Sequence, residues 1–394
     1  MSDLTTDLVE PDVAGEAPLA GGPPAGTAPP LGRARLLVRP TVIYLASRAL
    51  TVAAMAGAAP IANLSLTGAF DRWDTKWFMR AAATGWPSRI VTEHGHVTAT
   101  TIAFLPVYPL AFRWFSALTG CPLLLSAAIV SGVTGLTATL AVWALVRRFA
   151  GPPAAERAVL LFAFFPGTFV FSLGYSEGIA ITCVALGLLA LLRRRWVVAG
   201  LLGAVATATI PVALAFAVSC LWAAVVAIRR DREWRALAAP VLAPVGFVAY
   251  QLWLWAHTGN PSAWRLTERG GWKSYVSPAY PFEVVWKFVT HPISSTATTN
   301  LLVVCMAFSV VCAVIAIRQR QPGPVLVYGL GAAVVALVAA PVGLRPRFIL
   351  DAFPLVIALA VQLKGRSLRT VLWISALLLV VITVYSVDTF RVFP

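Results

Sequence analysis

From residue 40 to residue 387 the chain is a succession of apolar stretches, separated by short arginine clusters or proline-bearing breaks. A helix needs about 17–25 mostly apolar residues to cross hydrocarbon, and each of its backbone N–H and C=O groups must be satisfied within the segment. Stretches of that length recur here, which points to an α-helical bundle. A β-barrel is excluded because its strands would alternate apolar and polar positions. Composition agrees: 59% of the 394 residues are hydrophobic and 12% charged, against about a quarter charged in a soluble domain. The expected fold class is an all-α polytopic membrane protein.

The net charge of +15 is unevenly spread. Residues 1–32 carry five acids (Asp3, Asp7, Glu10, Asp12, Glu16) and no Lys or Arg. They are rich in Pro, Gly and Ala and lack both halves of a signal peptide, so they read as a disordered acidic cytoplasmic tail. The membrane domain is expected over 33–394. Its basic residues cluster between spans, as topology signals and lipid-headgroup contacts do, and nucleic-acid binding is not expected. The five cysteines form no CxxC pair, so neither a disulfide framework nor a zinc site is expected. His94 and His96 read as solvated loop residues rather than metal ligands.

Arg33, Arg35 and Arg39 precede the first span and place the N-terminus in the cytoplasm. The same rule puts the clusters at 147–157, 193–195, 229–235, 318–320 and 364–369 inside. Parity then requires spans near 40–62, one between the outer loop ending at 120 and the cluster at 147, 157–172, 177–193, two within 196–228 broken at Pro211, 237–256, 298–317, 324–343, 348–363 and 370–387. Residues 101–119 are apolar but hold Pro106, Pro109 and Arg113, and read as a re-entrant or interfacial element. The total is about eleven spans, with outer loops at 63–120 and 257–297 and an outer tip at Gly174-Tyr175-Ser176-Glu177.

Against this background one polar island stands out: Asp71-Arg72-Trp73-Asp74-Thr75-Lys76-Trp77, in the first outer loop. Asp74 falls within the helical segment 73–83, where a carboxylate can take a proton from an attacking hydroxyl. Asp71 is either a second functional acid or the cap of that helix. Glu177 opens a span, where the helix dipole favours an acid, and is equally a site candidate. Arg345 and Arg347 lie on an outer tip, against the usual inward bias of positive charge, and as a pair could hold a phosphate by forked hydrogen bonds. Trp73 and Tyr175 could shape a sugar pocket, and Lys76, Tyr108 and Arg113 are further substrate-binding candidates. Arg48, inside the first span, should face the bundle interior and pair with an outer-loop acid or a lipid phosphate. The 257–297 loop adds Trp264, Arg265, Glu268, Arg269 and Trp272 without assigned roles.

Four motifs in order resemble the PIG-V type mannosyltransferases. They are Arg72-Trp73-Asp74-Thr75-Lys76-Trp77-Phe78 with Gly85-Trp86-Pro87, then Phe104-Leu105-Pro106-Val107-Tyr108-Pro109-Leu110 ending in Arg113. The third is Phe164-Phe165-Pro166-Gly167 leading to Tyr175-Ser176-Glu177, and the fourth is Arg345-Pro346-Arg347-Phe348 with Ala352-Phe353-Pro354. The resemblance implies a GT-C type glycosyltransferase of a bacterial plasma membrane, using a polyprenyl-phosphate sugar on the extracytoplasmic face, with Asp74 as the base. One departure stands out: the chain reads Ala208-Thr209-Ile210-Pro211 where the family usually has an arginine.

The function expected is inverting transfer of mannose from polyprenyl-phosphate mannose to a glycolipid, glycan or protein hydroxyl, with the lipid tail reaching the site near 101–119. A divalent cation is left open. The rivals are a flippase for a lipid-linked sugar, which would need no base, and a non-catalytic assembly subunit.

Overall fold

The computed structural model describes residues 33–291 and 296–388. The expected tail at 1–32 and the last six residues lie outside them. The chain begins with α1 (Arg33–Ile61), a short α2 (Leu66–Phe70) and α3 (Asp74–Thr84). A small hairpin of β1 (Thr92–Glu93) and β2 (His96–Val97) and a 3-10 turn precede α4 (Val107–Thr119). The middle holds α5 (Leu123–Ala150), α6 (Pro152–Ala163), the 3-10 segment Pro166–Ser172, α7 (Glu177–Leu191), α8 (Trp196–Thr207), α9 (Leu214–Asp231), α10 (Ala238–Leu242) and α11 (Val245–Thr258). Next come α12 (Ala263–Leu266), a π-turn at Thr267–Gly271, β3 (Tyr275–Val276) and α13 (Tyr280–Thr290). The chain closes with α14 (Ala297–Arg318), α15 (Gly323–Leu337), β4 (Ala339–Ala340), α16 (Pro346–Asp351), α17 (Phe353–Gln362) and α18 (Gly365–Asp388).

The protein is a multi-pass, all-helical membrane protein. Five helices are long and apolar enough to cross a bilayer, and up to seven spans result if two bent pairs each count as one. Four more apolar helices (α7, α8, α15 and α17) have 10–17 residues, so length alone does not reach the expected eleven. The bends have local causes. Pro166 supplies no N–H to continue α6, and the chain turns by 72° into Pro166–Ser172. Pro244 stands between α10 and α11, which meet at 43°. At 13 residues, α4 is about 20 Å long, too short to span. It packs on α3 and α5, burying Tyr108 and Phe112.

Side-chain contacts sort the helix ends. Arg39 pairs with Glu156 at 2.6 Å, Arg157 Nε donates to Ala360 O at 2.8 Å, and Gln319 donates to Ala358 O at 2.9 Å. Arg194 pairs with Asp231 and Glu233. The basic clusters therefore gather at one end of the bundle. Asp74, Glu177, Ile210 and Arg347 meet at the other, around one cavity.

There the two expected outer loops pack on each other. The indoles of Trp86, Trp264 and Trp272 donate to Phe104 O, Ala103 O and Thr100 O, and the Tyr250 hydroxyl to Ile102 O. The bend at residues 100–104 is thus fixed by side-chain donors to its carbonyls. Pairing of β3 with β4 ties the second loop to residues 339–340.

Candidate active site

Asp74 enters the cavity because of what happens one residue earlier. Trp73 has φ 54° and ψ −131°, a positive-φ conformation that is strained for a bulky side chain. Two contacts hold it. Trp73 Nε1 donates to Ser386 O at 2.9 Å, and the buried Arg72 donates to Val387 O. The island is therefore pinned to the end of α18, and the turn at Trp73 starts α3 with Asp74 facing inward.

Arg347 meets it from α16. Gly167 makes room, since a Cβ there would collide with the Pro346 carbonyl. Arg347 Nη1 donates to Asp74 Oδ2 at 2.6 Å, with the side chains 15% and 27% exposed. The guanidinium lies 4.6 Å from the Phe348 ring centroid and 5.4 Å from that of Tyr175, within cation–π range. Burial alone would weaken its hold on the proton, but the carboxylate of Asp74, by its charge and its hydrogen bond, keeps it firmly protonated. The Tyr175 hydroxyl accepts from the Asp74 backbone N–H at 3.4 Å.

Two further acids complete the polar floor. Glu177 is the first residue of α7, and Asp351 lies one turn beyond Arg347 on the same face of α16. Glu177 Oε2, Asp351 Oδ1 and Arg347 Nε are all buried without a hydrogen-bond partner among the described residues. Such atoms cost roughly 1–3 kcal/mol each, and all three belong to residues that line one cavity.

The cavity measures about 820 Å³, ample for a sugar phosphate by the usual range of ligand sites. Its polar lining comprises Asp74, Glu177, Glu268 and Asp351 against Arg265, Arg269 and Arg347, so its charges nearly balance. Phe104, Trp264 and Trp272 form an aromatic wall; Phe104 and Trp272 meet edge to face with centroids 5.3 Å apart, and Trp77 backs both. The opposite wall is apolar, from Ile210-Pro211-Val212 and the end of α15. Glu268 sits in the π-turn, and its carboxyl is pushed up to about 7, mainly by burial and further by Asp74, with Ser274 opposing. Among the described residues no three His, Cys, Asp or Glu converge as metal ligands.

The structure brings together Asp74, Tyr175, Glu177 and Arg347 of the expected set. Tyr175 and Glu177 are 1% and 5% exposed, so they lie in the packed interior rather than on a free outer tip. The other candidates do not line the cavity. Trp73 is spent on α18. Asp71 ends α2, and α3 has no side-chain cap, which removes the capping alternative. Lys76 and Arg113 are exposed. Tyr108 is fully buried, donating to Ala127 O at 2.9 Å. Arg345 turns back to donate to Val342 O at 2.8 Å, so it does not share a clamp facing the cavity with Arg347. Arg48 faces the interior as expected, but its partners are Thr168, Ser172 and Ala163 at the α6 bend rather than an acid.

Asp351 was missed, although an acid inside an apolar stretch is itself a signal. Arg265, Glu268 and Arg269 stood out by sequence, but nothing in their spacing showed which loop they would face.

No protein-family model and no curated protein matches the chain. Among solved structures it is similar to ArnT from Cupriavidus metallidurans in the apo state, with 17% identity and a TM-score of 0.49 over 75% of this chain and 56% of that one. The same enzyme bound to undecaprenyl phosphate gives a TM-score of 0.48 at 17% identity, with the same coverage of both chains. The apo oligosaccharyltransferase of Archaeoglobus fulgidus gives 0.49 at 13% identity, over 88% of this chain and 56% of that one. This chain spans just over half the length of each, and likenesses of this depth carry no functional argument.

Proposed function

We propose that the protein is an integral membrane glycosyltransferase of GT-C type, transferring mannose from a polyprenyl-phosphate donor to a hydroxyl of a glycolipid, glycan or protein acceptor. The observation that supports this reading is one membrane-protein cavity lined by Asp74, Arg347 and two further acids, Glu177 and Asp351, together with Phe104, Trp264 and Trp272. A carboxylate that lines the cavity can accept a hydroxyl proton. Arginine suits a phosphate leaving group, and aromatic faces suit a pyranose. The acceptor oxygen forms its bond to the anomeric carbon as the bond to the phosphate oxygen breaks. The hydroxyl proton passes to Asp74, the lipid phosphate leaves with the electron pair, and the anomeric configuration inverts.

In this reading Arg347 stands where the Arg345–Arg347 pair was expected, with Arg265 and Arg269 as further cations on the same cavity. Their presence offsets Ile210, which adds only apolar wall. The site faces the extracytoplasmic side of a bacterial plasma membrane. The test is transfer of radiolabelled mannose from polyprenyl-phosphate mannose in membranes, wild type against Asp74→Asn. Label incorporated by the wild type and lost in the variant supports the reading. A variant as active as the wild type would remove Asp74 from the chemistry, and no transfer by either would remove the donor.

A further inference from the structure

Arg347 borders two cavities. Besides the large one, it lines a cleft of about 250 Å³ with Leu301 of α14, Leu378, Val381 and Ile382 of α18, and Phe169 beneath them. Among the described residues it is the one side chain common to both linings. The cleft exists because its two walls pack elsewhere: α14 on α13, α15 and α17, and α18 on α1 and the Pro166–Ser172 segment. These two helices are also the least enclosed candidate spans, 28% buried over their most apolar windows against 39–50% for the other three. Leu378 and Val381 are exposed. An apolar cleft between two peripheral spans, closed at one end by a cation, has the chemistry of a site for a chain with an anionic head.

We infer that this cleft holds the isoprenoid chain of the lipid-linked donor, with its phosphate at Arg347 and its sugar in the large cavity. The choice of occupant rests on the transferase reading above; the place rests on geometry alone. The Arg347 side chain lines both cavities, and its Nη1 is held by Asp74, so its charge stands where the cleft and the large cavity adjoin. The cleft also touches the catalytic island, since Ser386 lines it and its carbonyl anchors Trp73. A chain lying there would run along the element that sets Trp73 and thereby Asp74. This location differs from residues 101–119, whose helix instead buries Tyr108 and Phe112 against α3 and α5.

The test is photolabelling of the full chain in nanodiscs with a diazirine-bearing farnesyl phosphate, adducts being mapped by mass spectrometry. Adducts on Leu301, Leu378 or Ile382, competed by unlabelled farnesyl phosphate, support the site. The matching farnesyl alcohol should label about tenfold less, the loss of one charge-assisted phosphate contact. Leu378→Trp and, separately, Ala297→Leu should reduce labelling with the thermal melt unchanged. Adducts confined to 101–119, equal labelling by the alcohol, or equal labelling by a diazirine phosphatidylcholine would overturn the inference. Mapping on the wild type needs no variant, so a misfolded mutant does not decide the result. Transfer by the wild type with adducts elsewhere sinks the cleft alone; cleft adducts without transfer from any polyprenyl-phosphate sugar sink the transferase reading and leave the cleft.

Discussion

Two arginines, one buried and one half-buried, do opposite things in the bundle. Arg48 lies under the α6 bend, 8% exposed, and donates to Thr168 O, Thr168 Oγ1, Ser172 Oγ and Ala163 O. It donates to carbonyls and hydroxyls around the bend before Pro166, and among the described residues it forms no ion pair with an acid. Arg347 has one strong partner, Asp74, and an unpartnered Nε, with Glu177 and Asp351 incompletely satisfied around it. The first arrangement is closed and the second is open. A buried charge whose bonds are all made within the protein stabilises a fold; one whose bonds are left incomplete beside a cavity is set up for a ligand.

Substitutions sharpen that contrast. The largest effect is expected at Asp74→Asn, a fall in transfer of roughly 10²–10⁴-fold, the usual cost of losing a general base, with the melting temperature unchanged. Arg347→Lys should cost roughly 10²–10³-fold in rate, as removal of a preorganised donor to a developing anion does. Arg48→Lys should instead lower stability by about 2 kcal/mol, from charge-assisted bonds lost, with little change in rate per folded molecule. If denaturant titration and turnover gave the reverse pattern, the comparison would fail.

Asp351→Asn tests the open site from another side. Removing an incompletely satisfied buried carboxylate should raise stability by roughly 1 kcal/mol while lowering turnover, the trade found at strained functional sites. A drop in melting temperature would make Asp351 structural.

Glu268 gives a pH signature. Its folded-state value, about 7, lies above the ordinary 4.5, so the fold favours the neutral form. Its stabilising contribution is complete below about pH 4.5 and is lost as pH rises through about 7. Glu268→Gln should flatten that part of the stability profile, followed by denaturation midpoints across pH. The smallest effects, less than about twofold, are expected for Lys76→Ala and Arg113→Ala, exposed positions away from the cavity. A large loss at either would move the site toward the expected loop surface.

Much of the fold was legible in the sequence. Uninterrupted apolar stretches name helices, Pro211 names a break, and arginine clusters mark one end of the bundle, because hydrocarbon tolerates few alternatives; the 72° bend before Pro166 instead falls inside what was expected to be one span, 157–172. Asp74 was legible as a rare acid in a polar island, and Tyr175, Glu177 and Arg347 as polar residues at the ends of apolar stretches. The division of labour inside each motif was not. Trp73 was expected to shape a sugar pocket beside Asp74, yet it and Arg72 serve the carbonyls of a helix more than 300 residues later. Arg345 and Arg347 are two residues apart and face different surroundings.

The sequence alone determined that this is a helical membrane bundle with its basic clusters at one end and its unusual acids at the other, since the length and polarity of each segment are local properties. Only the tertiary structure decided that Asp74 would meet Arg347 across 273 positions, that Asp351 and Glu268 would join them, and that Arg48 would not. Those outcomes depend on which unsatisfied carbonyl or carboxylate each cation reaches once the helices pack, and the order of residues along the chain does not encode that distance.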